Sequence, residues 1–503
     1  MKAAALGEQV LHLLPAPKWE VQQDSLCVII PLGQKGTEKQ GANVMFFRQI
    51  LNEDLSCASY MIADSGEAAV VDPKWEIEDY LQIAEENNFR ISHILETHNH
   101  ADHLSGRGRL EEATGALLYV PKDAGVEYEH QALSDGDVVE VGSVRLIAIA
   151  TPGHRPEHTC FLVEDTSRTE QPWLLLTGDS LFVGDLARPD LAVEPEEGAR
   201  GLFGSLGTLL ELEDFVEVRP AHIGGSLCGG VNMSRKPDST IGFERRFNGY
   251  LRIEDEGEFV RTLTAEHTPQ PHNFERIVGL NRGPLITEAA PLEPLLPERV
   301  RELVKAGAVL IDGRDQREFD AAHVPGSINV TMNQSGVGTR AAWVVAPENE
   351  VLTTADGDED ARRMIRMLEA VGFRHIRGYL AGGLNAWRGV KLAVETTPIL
   401  DVPGLAERLR EKEVVLLDVR SPEEWEVGHV EGSIHVPYQR LREGIPEEVR
   451  NVVGPVAVAC SGGIRSALAA SLLKRAGVKD VEHVADGGVP NLQEEGIDLV
   501  PGG

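Results

Sequence analysis

The chain has 503 residues, too many for one hydrophobic core and suited to about three domains. Its 48 Lys+Arg against 80 Asp+Glu give a formal charge of −32, which repels nucleic acid and anionic membrane surfaces and favours solubility. Five cysteines, odd in number and scattered (Cys27, Cys57, Cys160, Cys228, Cys460), argue against a disulfide framework, and no apolar run approaches the roughly 18 residues of a membrane span.

Residues 1–44 carry turn formers and polar residues around Gly33 to Asn43 and read as an N-terminal extension, with folding expected from Met45. The first stretch, MKAAALGEQVLHLLP, breaks its apolar character with Glu8, Gln9 and His12, unlike a secretory signal, so a cytoplasmic location is expected. Over 45–284 the pattern predicts strands at Ala68–Val71, Ile91–Leu95, Val144–Ala150 and Trp173–Leu176 and a helix at Glu76–Asn87. Directly after Ile91–Leu95 comes Thr97-His98-Asn99-His100-Ala101-Asp102-His103. Imidazole and carboxylate are the ligands that hold zinc or iron. Alternation at a strand end is expected to aim His98 and His100 into one pocket, with Asp102 and His103 on the next turn. Further candidate ligands follow later strands: His154, Asp179, and His222 next to a glycine-rich loop.

Gly283–Pro297 carries four prolines with little periodicity and reads as a linker. Beyond it the chain repeats itself. Val309–Arg314 matches Leu416–Arg420, and Ala322–Val330 matches Gly428–Val436, with aligned aspartates Asp312 and Asp418. Strands alternate with helical runs at Arg362–Val371 and Ala467–Ala476, which predicts two copies of a doubly wound α/β unit, 294–395 and 400–503, joined through 395–403.

In the second copy an apolar strand ends at Cys460, and a glycine-bearing loop opens a helix at Ser466. Loop N–H groups and the positive helix end favour a sulfur anion there, and Arg465 adds fixed charge. This segment resembles the rhodanese active-site loop, and Asp418-Val-Arg420 and His429-Val-Glu-Gly-Ser433 match that family as well. Aligned on Gly372 and Gly477, the first copy places Ala355 opposite Cys460 and Asp360 opposite Arg465. It has no nucleophile, and Asp356, Asp358, Glu359 and Asp360 repel anions, so this copy is expected to be an inactive structural or docking domain.

The series THxHxDH, His154, Asp179, His222 resembles the metallo-β-lactamase superfamily, whose αββα sandwich gathers ligands on loops along one sheet edge. Thr97–His103, Thr151–Cys160 and Thr177–Asp190 are similar to the persulfide dioxygenases, over most of 45–280. That resemblance implies one Fe(II) held by His98, His154 and Asp179, with three positions left for water, substrate sulfur and O₂. His100, Asp102, His103 and His222 would hydrogen-bond water or ligands, or would complete a dinuclear zinc site for hydrolysis as in glyoxalase II relatives. The family's Gly-Arg-Thr-Asp run stands here as Ala187-Arg188-Pro189-Asp190, so Arg188 either meets the carboxylate of a thiol carrier or serves as an ordinary ion-pair partner.

The three-part order resembles bacterial persulfide dioxygenase–sulfurtransferase fusions. It implies iron-dependent oxidation of a low-molecular-weight thiol persulfide by O₂ to sulfite and thiol. Cys460 would move sulfane sulfur from persulfide or thiosulfate to sulfite or a thiol. Cys228, just past the last histidine, would accept or guide sulfur near the iron; a plain packed cysteine is an equal reading. Cys27, Cys57 and Cys160 are assigned to structure. The rival readings are a zinc-dependent glyoxalase II-like thioester hydrolase with accessory rhodanese domains and a non-catalytic sulfur-relay scaffold, and a homo-oligomer is left open.

Overall fold

The computed structural model describes residues 45–502 apart from 231 and 266–268, so the expected extension 1–44, with Cys27, lies outside the described residues. Two six-stranded sheets face each other at the N-terminal end. The first runs in sequence order through Phe46–Asn52, Cys57–Asp64, Glu67–Val71, Arg90–Leu95, Leu117–Pro121 and Gln131–Leu133. The second has the order Ser239–Thr240, Glu217–Pro220, Leu174–Gly178, Thr159–Asp165, Val144–Ala150, Val138–Val141.

Strand alternation explains the layering. In Val144–Ala150 the residues Val144, Leu146 and Ala148 point between the sheets, where they meet Tyr60, Ile62, Val71 and Phe161. Ile147 and Ile149 point the other way, onto the helix Pro195–Leu209 through Leu202 and Leu206. The outer face of the first sheet is covered by Glu78–Asn87, which buries Tyr80, Ile83 and Ala84. The result is the expected αββα sandwich. The helix begins at Glu78 rather than Glu76, and the strand predicted from Trp173 begins at Leu174 and runs on to Gly178.

Each repeat forms a five-stranded, fully parallel sheet of the same order. In the first copy the order is Pro294–Leu295, Ile376–Leu380, Val351–Thr354, Val309–Asp312, Ile328–Asn329. In the second it is Ile399–Leu400, Val481–Val484, Val456–Ala459, Val415–Asp418, Ile434–His435. The matched Asp–x–Arg motifs do the same job in both: Arg314 clasps Asp312 and donates to Ala322 O at 3.0 Å, and Arg420 clasps Asp418 and donates to Gly428 O at 2.8 Å. Both pairs are buried and tie each central strand to its following helix. The proline-rich stretch is less of a linker than its composition suggests. Pro294–Leu295 joins the sheet, and Pro297 takes the first position of the helix Pro297–Lys305, where a missing N–H costs nothing. Among the described residues no helix is long and apolar enough to cross a membrane.

The three parts share apolar contacts. One buried cluster runs from Leu55, Trp75, Leu104 and Ile277 through Met364, Leu368 and Phe373 of the first repeat to Leu417, Val458 and Leu468 of the second.

Candidate metal centre and sulfur-carrying loop

Four of the predicted ligands follow strand ends. His98 comes after Arg90–Leu95, His154 after Val144–Ala150, Asp179 after Leu174–Gly178 and His222 after Glu217–Pro220. One ligand atom each from His98, His154 and Asp179 lies within 4.8 Å of the others, and all three residues are buried. His154 Nε2 stands 3.4 Å from Asp179 Oδ2, His98 Nε2 3.8 Å, and His222 Nε2 3.2 Å. His98 Nε2, His154 Nε2, His222 Nε2 and both Asp179 oxygens have no hydrogen-bond partner. Buried polar atoms are normally paired, so this convergence of orphaned donors fits a cation.

The residues around the centre fix which ring atom faces inward. Thr97 Oγ1 donates to Asp72 Oδ2 at 2.9 Å and lies 2.8 Å from His98 Nδ1, which leaves His98 Nε2 free. His154 Nδ1 faces Arg188 O at 2.9 Å, with the same effect on its Nε2. Burial lowers the pKa of both His98 and His154, so both are neutral imidazoles, the ligating form. Burial alone would raise Asp179, but His222 and His154 overcome it and hold the carboxyl at about 2.

His100 lies beside His98 as expected, ring centroids 4.3 Å apart, but its nitrogens turn to other partners. Its Nε2 is 3.2 Å from both Asp72 Oδ1 and Glu96 Oε2. Burial would lower this histidine, yet the two carboxylates raise it to about 10. Only Nδ1 remains without a partner, and His100 groups with Asp102 and His103 instead of with His98 and Asp179. A strand end alone does not fix a side chain's target once two buried acids compete for it. Asp72 is held with φ 51° and accepts the Thr97 N–H at 2.7 Å. Asp72, Glu96 and His158 are site residues that spacing did not single out. His158 Nε2 accepts the Asp179 N–H at 2.9 Å, and burial pushes this ring down to about 3.

Cys57, assigned above to structure, stands at the site. It bridges to the His222 backbone across the sheet, and its Sγ donates to Asp102 Oδ2 at 3.3 Å. Cys228 groups with Asp179 and His222, and burial pushes its thiol up to about 12, so it is protonated at neutral pH. Arg188 forks onto Asp190 at 2.6 and 2.8 Å, the ion-pair arrangement, and its Nη1 reaches Leu227 O at 3.4 Å. Cys160 packs in the core with Thr151 Oγ1 at 3.2 Å.

At the second repeat, Cys460 Sγ receives N–H groups from Gly463 at 3.1 Å and Gly462 at 3.5 Å, with Ser466 Oγ at 3.3 Å. The helix opens at Ile464, not Ser466. Gly463 caps it with φ 94°, and the Ser466 hydroxyl turns back to donate to Gly463 O at 2.9 Å. Arg465 is engaged by Glu424 and donates to Ser461 Oγ at 2.7 Å, so its charge closes the loop from outside. Beneath the loop His483 Nε2 lies 2.8 Å from Gly463 O and 3.2 Å from Ser466 Oγ, and its Nδ1 meets Asp320 Oδ2 of the first repeat at 2.6 Å. In that first repeat Ala355 is buried where Cys460 would stand, and Asp358, Glu359 and Asp360 fill the first helical turn.

A family profile for the Metallo-beta-lactamase superfamily matches residues 52–222, and one for the Rhodanese-like domain matches 296–389 and 401–495. The "Hydroxyacylglutathione hydrolase" of Polaromonas sp. is 38% identical over 232 residues, 40% of this chain and 84% of that protein. "Persulfide dioxygenase ETHE1, mitochondrial" of Homo sapiens is 27% identical over 252 residues, covering 49% of this chain and 91% of that protein. A crystal structure titled as a metallo-beta-lactamase from Staphylococcus aureus superposes with TM-score 0.60 at 27% identity, over 68% of this chain and 99% of that one. The chain therefore belongs to the metallo-β-lactamase superfamily, with two rhodanese-like domains behind its αββα sandwich.

Proposed function

We propose that this chain oxidises a low-molecular-weight thiol persulfide to sulfite and thiol at the N-terminal centre and transfers sulfane sulfur at Cys460. The observation that carries the reading is the two-histidine, one-carboxylate face of His98, His154 and Asp179 on the same chain as a cysteine loop whose amides point at sulfur. A ferrous ion on that face would supply O₂ activation and a binding position for sulfur. Thr97 and the Arg188 carbonyl hold the two rings in their ligating tautomer, and burial of all three ligands keeps bulk water away. The balance is RSSH + O₂ + H₂O → RSH + H₂SO₃. At the second site the amides of Gly462 and Gly463 stabilise a Cys460 persulfide, whose outer sulfur passes to sulfite to give thiosulfate and the free thiolate. Tethering both sites on one chain raises the local sulfite concentration at Cys460. The likeness to the human persulfide dioxygenase supports this reading.

A second reading is a dinuclear zinc thioester hydrolase. Asp102, His103 and His222 stand beside the first ligand group, with His222 Nε2 3.6 Å from Asp102 Oδ2, and hydroxyacylglutathione hydrolases are among the relatives. Metal content with oxygen uptake on several thiol persulfides decides between them. One iron per chain with uptake is expected; two zinc ions with thioester hydrolysis and no uptake would reverse the assignment. Asp179→Asn should lower iron from about one per chain to near zero.

A further inference from the structure

We infer that the first rhodanese-like repeat, which lacks a nucleophile, forms the carrier-binding wall of the cavity that reaches the metal-centre residues at Asp102, and that Arg340 receives a carboxylate of an amino-acid or peptidic thiol carrier. This rests on the persulfide reading above. A cavity of about 260 Å³ lies where the three parts of the chain meet. Asp102 and Leu227 line it from the metal side, Arg340 and Trp343 from the first repeat, and Tyr438 and Gln439 from the second.

Arg340 stands on the helix Val337–Val344, and its terminal nitrogens donate only to main-chain carbonyls, among them Thr331 O at 2.7 Å and Gln334 O at 3.0 Å. Its Nε has no partner, and it makes no ion pair among the described residues. Asp54 also lines the cavity, but its carboxylate is already taken by the N–H groups of Val337 at 2.8 Å and Gly338 at 3.1 Å. Burial destabilises the Arg340 cation, and the nearby Asp54 carboxylate offsets this only in part. In a chain of net charge −32 such a cation stands out, and a ligand carboxylate at its terminal nitrogens would balance its charge. Gln439 also lines the cavity, and its amide Oε1 has no partner within the protein, the kind of group an N–H or an ammonium pairs with. Trp343 and Tyr438 offer apolar flanks between these groups. Carboxylate, N–H donor and short carbon chain describe an amino-acid thiol or a small peptide bearing one, with its sulfur turned toward Asp102 and the metal ligands.

The test measures calorimetric binding of S-methylglutathione, which cannot react, and of its diethyl ester to the full chain. Wild-type protein is expected to hold the free acid about tenfold tighter than the ester. Arg340→Gln should bring the two within about threefold, and Arg340→Lys should retain most of the preference. Gln439→Glu, which leaves the Arg340 main-chain contacts untouched and puts a carboxylate beside the one Arg340 would receive, should bring acid and ester within about threefold of each other. With iron-loaded protein, Arg340→Gln should raise KM for glutathione persulfide and leave kcat unchanged. No acid-over-ester preference in wild type, or a preference that survives both Arg340→Gln and Gln439→Glu, would overturn the assignment. An acid preference that depends on Arg340 in a wild-type protein without oxygen uptake would uphold the carboxylate site and defeat the dioxygenase reading.

Discussion

Cys460 is the residue whose surroundings are most directly chemical, because the N–H groups of Gly462 and Gly463 meet at its sulfur. Cys460→Ser should cut thiosulfate sulfurtransferase turnover by about a thousandfold or more and leave persulfide-dependent oxygen uptake intact. The loop depends on one backbone conformation. Gly463 has φ 94°, and a Cβ there would sit 2.0 Å from Ala485 O. Gly463→Ala should therefore cost roughly 1–3 kcal/mol or more in denaturant unfolding and remove transfer even with Cys460 present. His323 offers a separate residue-scale test. Burial lowers it to about 4 from 6.5, while its ring stacks on Phe319 and Nδ1 faces Phe319 O at 2.8 Å. The unfolded chain binds the proton more readily, so this group's contribution to stability is complete above about 6.5 and lost as pH falls toward 4. His323→Phe should flatten the acid limb of the stability–pH curve in that window by up to one proton, measured by urea unfolding.

At the scale of elements, the helix Gln316–Ala321 of the nucleophile-free repeat reaches across to the sheet of the other, where Asp320 meets His483 under the Cys460 loop. Asp320 touches neither sulfur nor substrate; it positions His483, which faces the Gly463 carbonyl, and so orients the Gly463 N–H at the sulfur. Asp320→Asn should slow sulfur transfer about tenfold and shift its pH profile, with oxygen uptake unaffected. Much of this level was legible in the sequence where a signal is local. His98, His154 and Asp179 could be read because each follows an apolar run, and the two sheets could be matched because their Asp–x–Arg motifs recur. What escaped were partners brought in by strand pairing or domain packing. Cys57 meets His222 through a cross-sheet bridge, Asp72 and Glu96 capture His100, and Asp320 meets His483 between repeats. No periodicity along one segment carries that information, because the second partner is chosen by how segments stack. The Ser466 start was missed because the left-handed cap at Gly463 opens the helix at Ile464, two residues before the expected start.

At the scale of the molecule, the buried cluster that runs from Trp75 and Leu104 through Leu368 and Phe373 to Val458 makes the three parts mutually dependent. Leu104 N–H donates to Ala370 O at 2.7 Å, Asn273 Nδ2 to Val371 O at 2.9 Å, and Arg374 lies 5.3 Å over the Trp75 ring. Leu368→Ala should cost about 2–5 kcal/mol, and metal release and loss of Cys460 activity should coincide in one thermal transition instead of separating into two. Independent melting of the metal domain would contradict this.

The contact between Asp320 and His483 has a practical corollary for anyone who grafts the Cys460 copy onto another protein. Cut free of its cysteine-less twin, the copy that carries Cys460 would present a bare imidazole to solvent directly below the Cys460 loop. The portable cassette is the tandem, and the copy without a cysteine has to travel with the one that carries it.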